Sequence, residues 1–289
     1  MRQQPITEDT WTDAQAMQLV GSLRGAEHAV TGHTRAVLAR AFQDVVVPRL
    51  LSAPRRQPGP CDVAAAPIQT PDQVAALSAL VVRGADSESS AYVQALRDGG
   101  ACPESIYLDV ITPTARHLGR MWEEDECSFA EVTLGVMRLA NMLRLLSGAF
   151  AGDTAPLCGA PQILLAQMPG EQHWLGLAIV TQFFRRAAWN VHTAPKAASE
   201  DLTALARKRW FNVVGLSVAG SDRMDALATQ IRAIRRASRN PQLGVLVGGP
   251  IFVAHPELAA MVGADATAAD GRQAVQQAQN LVGLLAREQ

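Results

Sequence analysis

The C-terminal half of the chain alternates short apolar runs with helical segments, and this alternation restricts the possible folds more than any other feature. Five runs are predicted to be strands: residues 162–168, 189–193, 212–218, 244–248 and 265–267. Most of them precede an amphipathic pattern of about 10 to 17 residues, which is typical of a helix. Repeated strand–helix units form a parallel sheet with right-handed crossovers. We therefore expect a flavodoxin-like or Rossmann-like α/β domain over residues 160–289.

The preceding part of the chain follows a helical pattern. Residues 72–152 contain four blocks with apolar residues at helical spacing, separated by Gly, Pro or acidic turns, at 72–83, 87–97, 104–121 and 128–149. They predict an all-α, four-helix-type bundle. Residues 1–71 predict a helical extension over 12–50, followed by a proline-rich linker.

Composition limits the partners. The 26 Lys and Arg against 27 Asp and Glu give a net charge of −1, and no helix-turn-helix signature is present, so direct DNA binding is not expected. Four scattered cysteines without a CxxC pair favour reduced thiols over a disulfide framework or a zinc site. Charges or glycines interrupt every apolar stretch before about 18 residues, so we expect no membrane span and a cytoplasmic protein.

Unusual residues follow three of the predicted strands. Glu171, His173 and Gly176 come after the first strand, Ser217 lies at the end of the third, and Gly248-Gly249 ends the fourth. In an open parallel sheet, ligands bind beyond the carboxyl ends of the strands, where these loops meet. An imidazole that binds a metal usually donates its other N–H to a carboxylate, and Glu171 is close enough in sequence to accept it from His173.

This constellation, Glu171-x-His173-x-x-Gly176, then Ser217, then Gly248-Gly249, resembles the cobalamin-binding signature of the methionine-synthase and methylmalonyl-mutase class. The intervals between the three motifs are also close to those of the family. Two positions depart from the family pattern: Glu171 replaces the usual Asp, and Ala219 replaces a Leu.

The resemblance implies base-off cobalamin with His173 as the lower axial ligand to cobalt. The displaced nucleotide tail of the cofactor would then enter the sheet domain. Gly176, Gly248 and Gly249 would let the backbone approach the cofactor, and the Ser217 hydroxyl would bond to the tail. We expect that Val in place of Gly248 or Gly249 blocks cobalamin and leaves the protein folded.

The bundle resembles that of CarH-type photoreceptors at Leu118-Gly119-x-x-Trp122 and at Ala130-Glu131. The resemblance implies that Trp122 covers the upper face of the corrin and that Glu131 lies near it; a core tryptophan is the alternative for Trp122. The family's Glu-His pair aligns with Val132-Thr133, which argues against a tightly held adenosyl group. His28 or His33 of the extension is then a possible upper cobalt ligand, with solvated helix histidines as the alternative.

The whole outline is similar to the AerR/PpaA family of antirepressors, which lack a DNA-reading module. This resemblance implies a non-enzymatic, light-responsive regulator that uses adenosylcobalamin or hydroxocobalamin and acts through a CrtJ/PpsR-type repressor. Two alternatives stay open. One is a corrinoid methyl-carrier protein of a methyltransferase system, and the other is a sensor of the same fold that binds haem.

Overall fold

The computed structural model describes residues 71–84, 86–151, 159–171, 173–194 and 202–285. Of the extension and linker predicted over residues 1–71, residues 1–70, including His28 and His33, lie outside the described residues. Within those ranges no helix combines the length and apolar content that a bilayer span requires.

The first part of the described chain is helical, as the spacing of apolar residues predicts. Its helices are α1 (Pro71–Arg83), α2 (Asp86–Asp98), α3 (Pro103–Ser105), α4 (Thr112–Glu123) and α5 (Phe129–Ala151). A π-helical segment, Ile106–Ile111, joins α3 to α4, so the block predicted at 104–121 is one continuous helical stretch with a local widening. Its side chains include Ile106 and Val110, which are fully buried in the bundle core.

The second part is an α/β domain, which confirms the fold class. Its strands are β1 (Gln162–Gln167), β2 (Asn190–Thr193), β3 (Val213–Ser217), β4 (Gly244–Gly248) and β5 (Ala266–Ala268). Each lies within two residues of its predicted bounds. The helices are α6 (Leu175–Arg186), α7 (Leu202–Lys208), α8 (Met224–Ala237), α9 (Pro250–Ala254), α10 (Leu258–Met261) and α11 (Gly271–Leu285), with a 3₁₀ turn at Ser221–Arg223.

All strand pairs are parallel, and the strand order is β2-β1-β3-β4-β5. This order is that of flavodoxin-like sheets, in which the chain reverses its winding direction between β1 and β3. The loops after these two strands therefore flank the crevice where such sheets bind ligands.

Helices cover both faces of the sheet, which explains why the strands are continuously apolar. On one face, Ile163 and Leu165 of β1 pack with Phe184 of α6 and Ala278 of α11. On the other face, Leu164 packs with residues of α7 and α8. This alternation identifies the side on which each residue at the carboxyl edge of the sheet lies.

The bundle and the α/β domain share a core. Trp174 and four residues of α6 are buried in the same apolar cluster as the bundle residues. Tyr107, Phe150 and Phe183 form an aromatic cluster across this junction, with ring centroids 4.4 to 6.3 Å apart. The helix that follows the predicted site loop is therefore held directly by the bundle.

Candidate cofactor site

The loop after β1 begins with a tight turn. The N–H of Glu171 donates to the carbonyl of Met168 at 3.0 Å, and Gly170 has a φ of +82°. Pro169 at the second position and a left-handed glycine at the third are typical of a type II turn. The turn brings Glu171 back over the end of the sheet, where its carboxylate is buried.

Glu171 and His173 form the hydrogen-bonded pair that the sequence predicts. His173 Nδ1 lies 2.6 Å from Glu171 Oε1, and the backbone N–H of His173 donates to the same oxygen at 3.0 Å. Only 4% of the Glu171 side chain is exposed, whereas the His173 side chain is 71% exposed. The carboxylate is thus anchored in the protein and the imidazole is presented outward.

The electrostatics of Glu171 determine which imidazole nitrogen is free. Burial acts to raise the pKa of Glu171, but hydrogen bonds from the His173 side chain, from its backbone N–H and from the Ala219 N–H outweigh burial. The pKa therefore falls from its ordinary value of 4.5 to about 2. An ionised carboxylate can only accept, so Nδ1 of His173 carries the proton in this bond. In the neutral imidazole, Nε2 then has the lone pair that a metal requires.

The second oxygen of Glu171 connects the site to β3. Oε2 accepts the N–H of Ala219 at 2.7 Å, across the crevice between the loops that follow β1 and β3. The family's Leu is absent at position 219, but the contact uses the backbone and is independent of that side chain. One carboxylate therefore fixes both the imidazole and the spacing of the two loops.

Ser217 and Gly248 lie side by side at the carboxyl edge, because they are paired in the β3–β4 register. A Cβ built on Gly248 would have the Ala268 carbonyl oxygen as its nearest neighbour, at 3.6 Å, which is ordinary van der Waals contact. A Cβ on Gly176 would meet no atom of the described residues within 4 Å. Protein packing therefore does not require glycine at Gly248 or Gly176.

Gly249 differs from its neighbour, and the expectation that Val at this position leaves a folded protein is wrong. Its φ of +122° is accessible essentially to glycine alone, and a Cβ would collide with the carbonyl oxygen of Val218. The backbone conformation at position 249 therefore requires glycine, independently of any bound ligand.

In the bundle, Trp122 lies near the end of α4 and is 39% exposed, so it is not a core tryptophan. Glu131 forms a capping box with Ser128 at the start of α5: its Oε2 accepts the Ser128 N–H at 2.8 Å, and the Glu131 N–H donates to the Ser128 hydroxyl at 3.3 Å. Glu131 thus has a structural role that the Ser-x-x-Glu pattern could have revealed. Its predicted contact with the cofactor stays a prediction.

Two residues that border the candidate site were missed by the sequence interpretation. The guanidinium of Arg223 donates to the Pro169 carbonyl and lies against Gly170, which holds the turn from the β3 side. Gln167, the last residue of β1, is next to Ser217 in the register. Nothing in the local sequence distinguishes either residue, because Arg223 gains its place from a contact with the loop after β1 and Gln167 from strand pairing.

Comparison with known families and structures assigns a ligand to both domains. Family models described as B12 binding domains match residues 161–279 and, separately, residues 73–145. A 20.5 kDa protein of Rhodobacter capsulatus from the bchF–crtJ intergenic region is 29% identical over 162 residues, which covers 56% of this chain and 84% of the relative. The monomethylamine corrinoid protein of Methanosarcina barkeri has the same fold, with a TM-score of 0.62 at 13% identity, over 73% of this chain and 98% of that protein.

Proposed function

We propose that this chain, which is an AerR/PpaA-like cobalamin-binding protein with two B12-binding domains, is a cytoplasmic, light-responsive antirepressor that acts through a CrtJ/PpsR-type repressor. Its cofactor is cobalamin. The single observation that carries the regulatory proposal is the relative from the bchF–crtJ intergenic region, which the present chain covers over 84% of its length.

The residues at the carboxyl edge of the sheet fit cobalamin. A corrin supplies its own equatorial nitrogens, so the protein needs to contribute one imidazole on the lower side. His173 offers Nε2 while Glu171 holds Nδ1, and the missing Cβ of Gly176 leaves open space beside the same loop. We assign His173 as the lower axial ligand and Glu171 as the residue that positions it.

The binding residues also suggest where the rest of the cofactor lies. Ser217 and Gly248 lie side by side at the end of the sheet, on the face covered by α6 and α11. We assign both residues to the binding of the nucleotide tail. Gly249, the next residue after Gly248, is assigned to the same role. Trp122 is assigned to the upper face because its large ring is partly exposed near the end of α4.

When bound as adenosylcobalamin, the cofactor supplies a cobalt–carbon bond that light can break. The residues around the cofactor then determine how breakage of this bond affects the protein. Val132 and Thr133 offer no imidazole or carboxylate at the positions where CarH-type photoreceptors have Glu-His, so the adenosyl group is held weakly. An imidazole from His28 or His33 would bind the cobalt after illumination, and this change would create a surface for the repressor.

The test is an absorption spectrum of the purified holo-protein in the dark and after blue or green illumination, followed by repressor binding in both states. We expect a corrin spectrum that changes on illumination and a repressor affinity that changes with it. A haem spectrum would instead support the haem sensor. A corrin spectrum that does not change on illumination, together with transfer of a methyl group to and from the cofactor, would support the methyl-carrier function.

A further inference from the structure

A cavity lies between the edge strand β2, its neighbour β1 and helix α7. Its volume is about 280 Å³, just below the ~300–1,000 Å³ that is usual for the sites of drug-sized ligands. Leu164, which lines it, packs on the sheet face covered by α7 and α8, whereas the residues assigned to the cofactor tail lie on the other face. The cavity is therefore separate from the cofactor site, and a ligand there is independent of the proposed function.

The floor of the cavity is apolar. Leu164 of β1 and Phe211, which precedes β3, are each 1% exposed, and Leu205 of α7 is partly buried against the same core. The imidazole of His192 from β2 stands at 78° to the Phe211 ring, with 5.6 Å between the ring centroids. These side chains form a surface on which a flat apolar group can pack.

The rim of the cavity is basic. Lys208 ends α7, Arg209 follows it directly, and both residues are exposed. Among the described residues, no carboxylate forms an ion pair with either side chain, and no acidic residue lines the cavity. The rim therefore carries two positive charges that the described part of the protein does not compensate.

Arg209 is positioned by His192. Its Nη1 lies 2.6 Å from Nε2 and 3.1 Å from Nδ1 of the imidazole. Burial and, to a smaller extent, the charge of Arg209 lower the pKa of His192, so the imidazole is neutral at pH 7 and accepts the hydrogen bond. A neutral acceptor fixes the guanidinium without cancelling its charge, and the other N–H groups of the guanidinium can donate to an anion.

We propose that this cavity binds a small organic anion that combines a flat apolar body with one carboxylate or sulfonate group. The apolar body packs on Leu164, Leu205 and Phe211, and the anionic group lies between Lys208 and Arg209. An uncharged ligand of the same shape gains the contacts of the floor alone, so it binds more weakly than the anion.

The experiment is isothermal titration calorimetry of the full-length chain, with and without bound cobalamin. The probes are naphthalene-1-sulfonate and its uncharged analogue naphthalene-1-sulfonamide. Lys208→Gln and Arg209→Gln each remove one charge from the rim. Arg207→Gln is the matched control, because Arg207 is an exposed basic residue in the same last turn of α7 but does not line the cavity.

We expect wild type to bind the sulfonate more tightly than the sulfonamide, with the same affinity whether or not cobalamin is bound. Lys208→Gln and Arg209→Gln should each weaken sulfonate binding by roughly two- to fivefold, the range of an exposed ion pair. Sulfonamide affinity and the thermal midpoint should not change in these variants, and Arg207→Gln should bind both probes like wild type.

Equal affinity of wild type for the two probes, or no binding of either, would overturn the proposal. A loss in Arg207→Gln as large as that in Lys208→Gln would do the same, because it indicates a diffuse surface charge and no defined site. Competition between the sulfonate and cobalamin would also contradict it, since it places the probe at the cofactor site. Failure of the proposed function changes cobalamin binding and leaves these probe affinities unaffected.

Discussion

Glu171 connects the chemistry of the site to the fold. One of its oxygens accepts two hydrogen bonds from His173, and the other accepts the N–H of Ala219 on the neighbouring loop. The residue therefore fixes the tautomer of the proposed ligand and the spacing of the crevice at once. The carboxylate of Glu171 performs both tasks.

His173→Ala should abolish or severely weaken stable cobalamin binding, because it removes the proposed cobalt ligand. Glu171→Gln should lower the affinity by about 10- to 100-fold, the range seen when a carboxylate partner of a metal-bound imidazole is changed. Titration followed by absorption checks both. His255→Ala is the matched control, since His255 Nδ1 pairs with Glu257 Oε1 at 3.3 Å at the same sequence spacing. Wild-type affinity and spectrum in His173→Ala would contradict the assignment.

The two adjacent glycines should respond differently to Ala. Gly249→Ala should destabilise the protein by more than about 2 kcal/mol, because it adds an unfavourable φ and a collision with the Val218 carbonyl. Gly248→Ala should melt near the wild-type temperature but bind cobalamin more weakly, since its methyl group occupies the space assigned to the tail. Thermal denaturation by circular dichroism and cobalamin titration separate the two effects; a Gly248→Ala protein with wild-type affinity would show that the tail does not approach this edge.

At the scale of the element, the start of α5 is determined by its own sequence. Ser128 and Glu131 satisfy each other's backbone N–H groups before the apolar run of the helix begins. The beginning of this helix is therefore encoded locally, independent of the cofactor.

Glu131→Ala should cost about 1 kcal/mol in free energy of unfolding, as expected for a lost capping interaction, whereas Glu131→Gln should retain the capping box. Denaturant unfolding of the cofactor-free protein measures both. The same pair tests the predicted cofactor contact: if Glu131→Gln keeps its stability but loses affinity for adenosylcobalamin, Glu131 also contacts the cofactor.

At the scale of the whole molecule, the bundle and the α/β domain are joined by shared apolar packing and by charge. Phe183 of α6 contacts both Tyr107 and Phe150 of the bundle, and Glu104 of α3 pairs with Arg272 of α11 at 2.5 Å. The Arg272 side chain is largely exposed, so this ion pair contributes little to stability, and the buried apolar side chains of the junction, including the aromatic cluster, contribute more.

Phe183→Ala should destabilise the protein by about 3 to 5 kcal/mol, the usual cost of removing a buried Phe, and should also uncouple the unfolding of the two domains. Phe211→Ala is the control, because Phe211 is equally buried but belongs to the cluster on the far face of the sheet. Denaturant unfolding followed by several probes should show separate transitions for Phe183→Ala and a single one for Phe211→Ala. Coincident transitions in both variants would contradict a junction that depends on Phe183.

The sequence by itself determined the local features: the helical blocks, all five strands to within two residues, and the order of the two domains. These follow from apolar periodicity and turn residues, which act over a few positions. The Glu171–His173 pair could also be predicted, because its members are two residues apart and their geometry is set by one loop.

Only the tertiary structure decided the strand order, the contact of Glu171 with Ala219, and the places of Gln167 and Arg223. The strand order depends on the crossover connections between the strands. The contact of Glu171 with Ala219 and the places of Gln167 and Arg223 depend on residues about 50 positions apart that the fold brings together. The requirement for glycine at position 249 is of the same kind, because the atom that excludes a side chain there belongs to Val218 on the adjacent strand's loop. Local pattern carries no information about such long-range neighbours, so the sequence predicted the hydrogen-bonded Glu171–His173 pair and the fold supplied the residues that surround it.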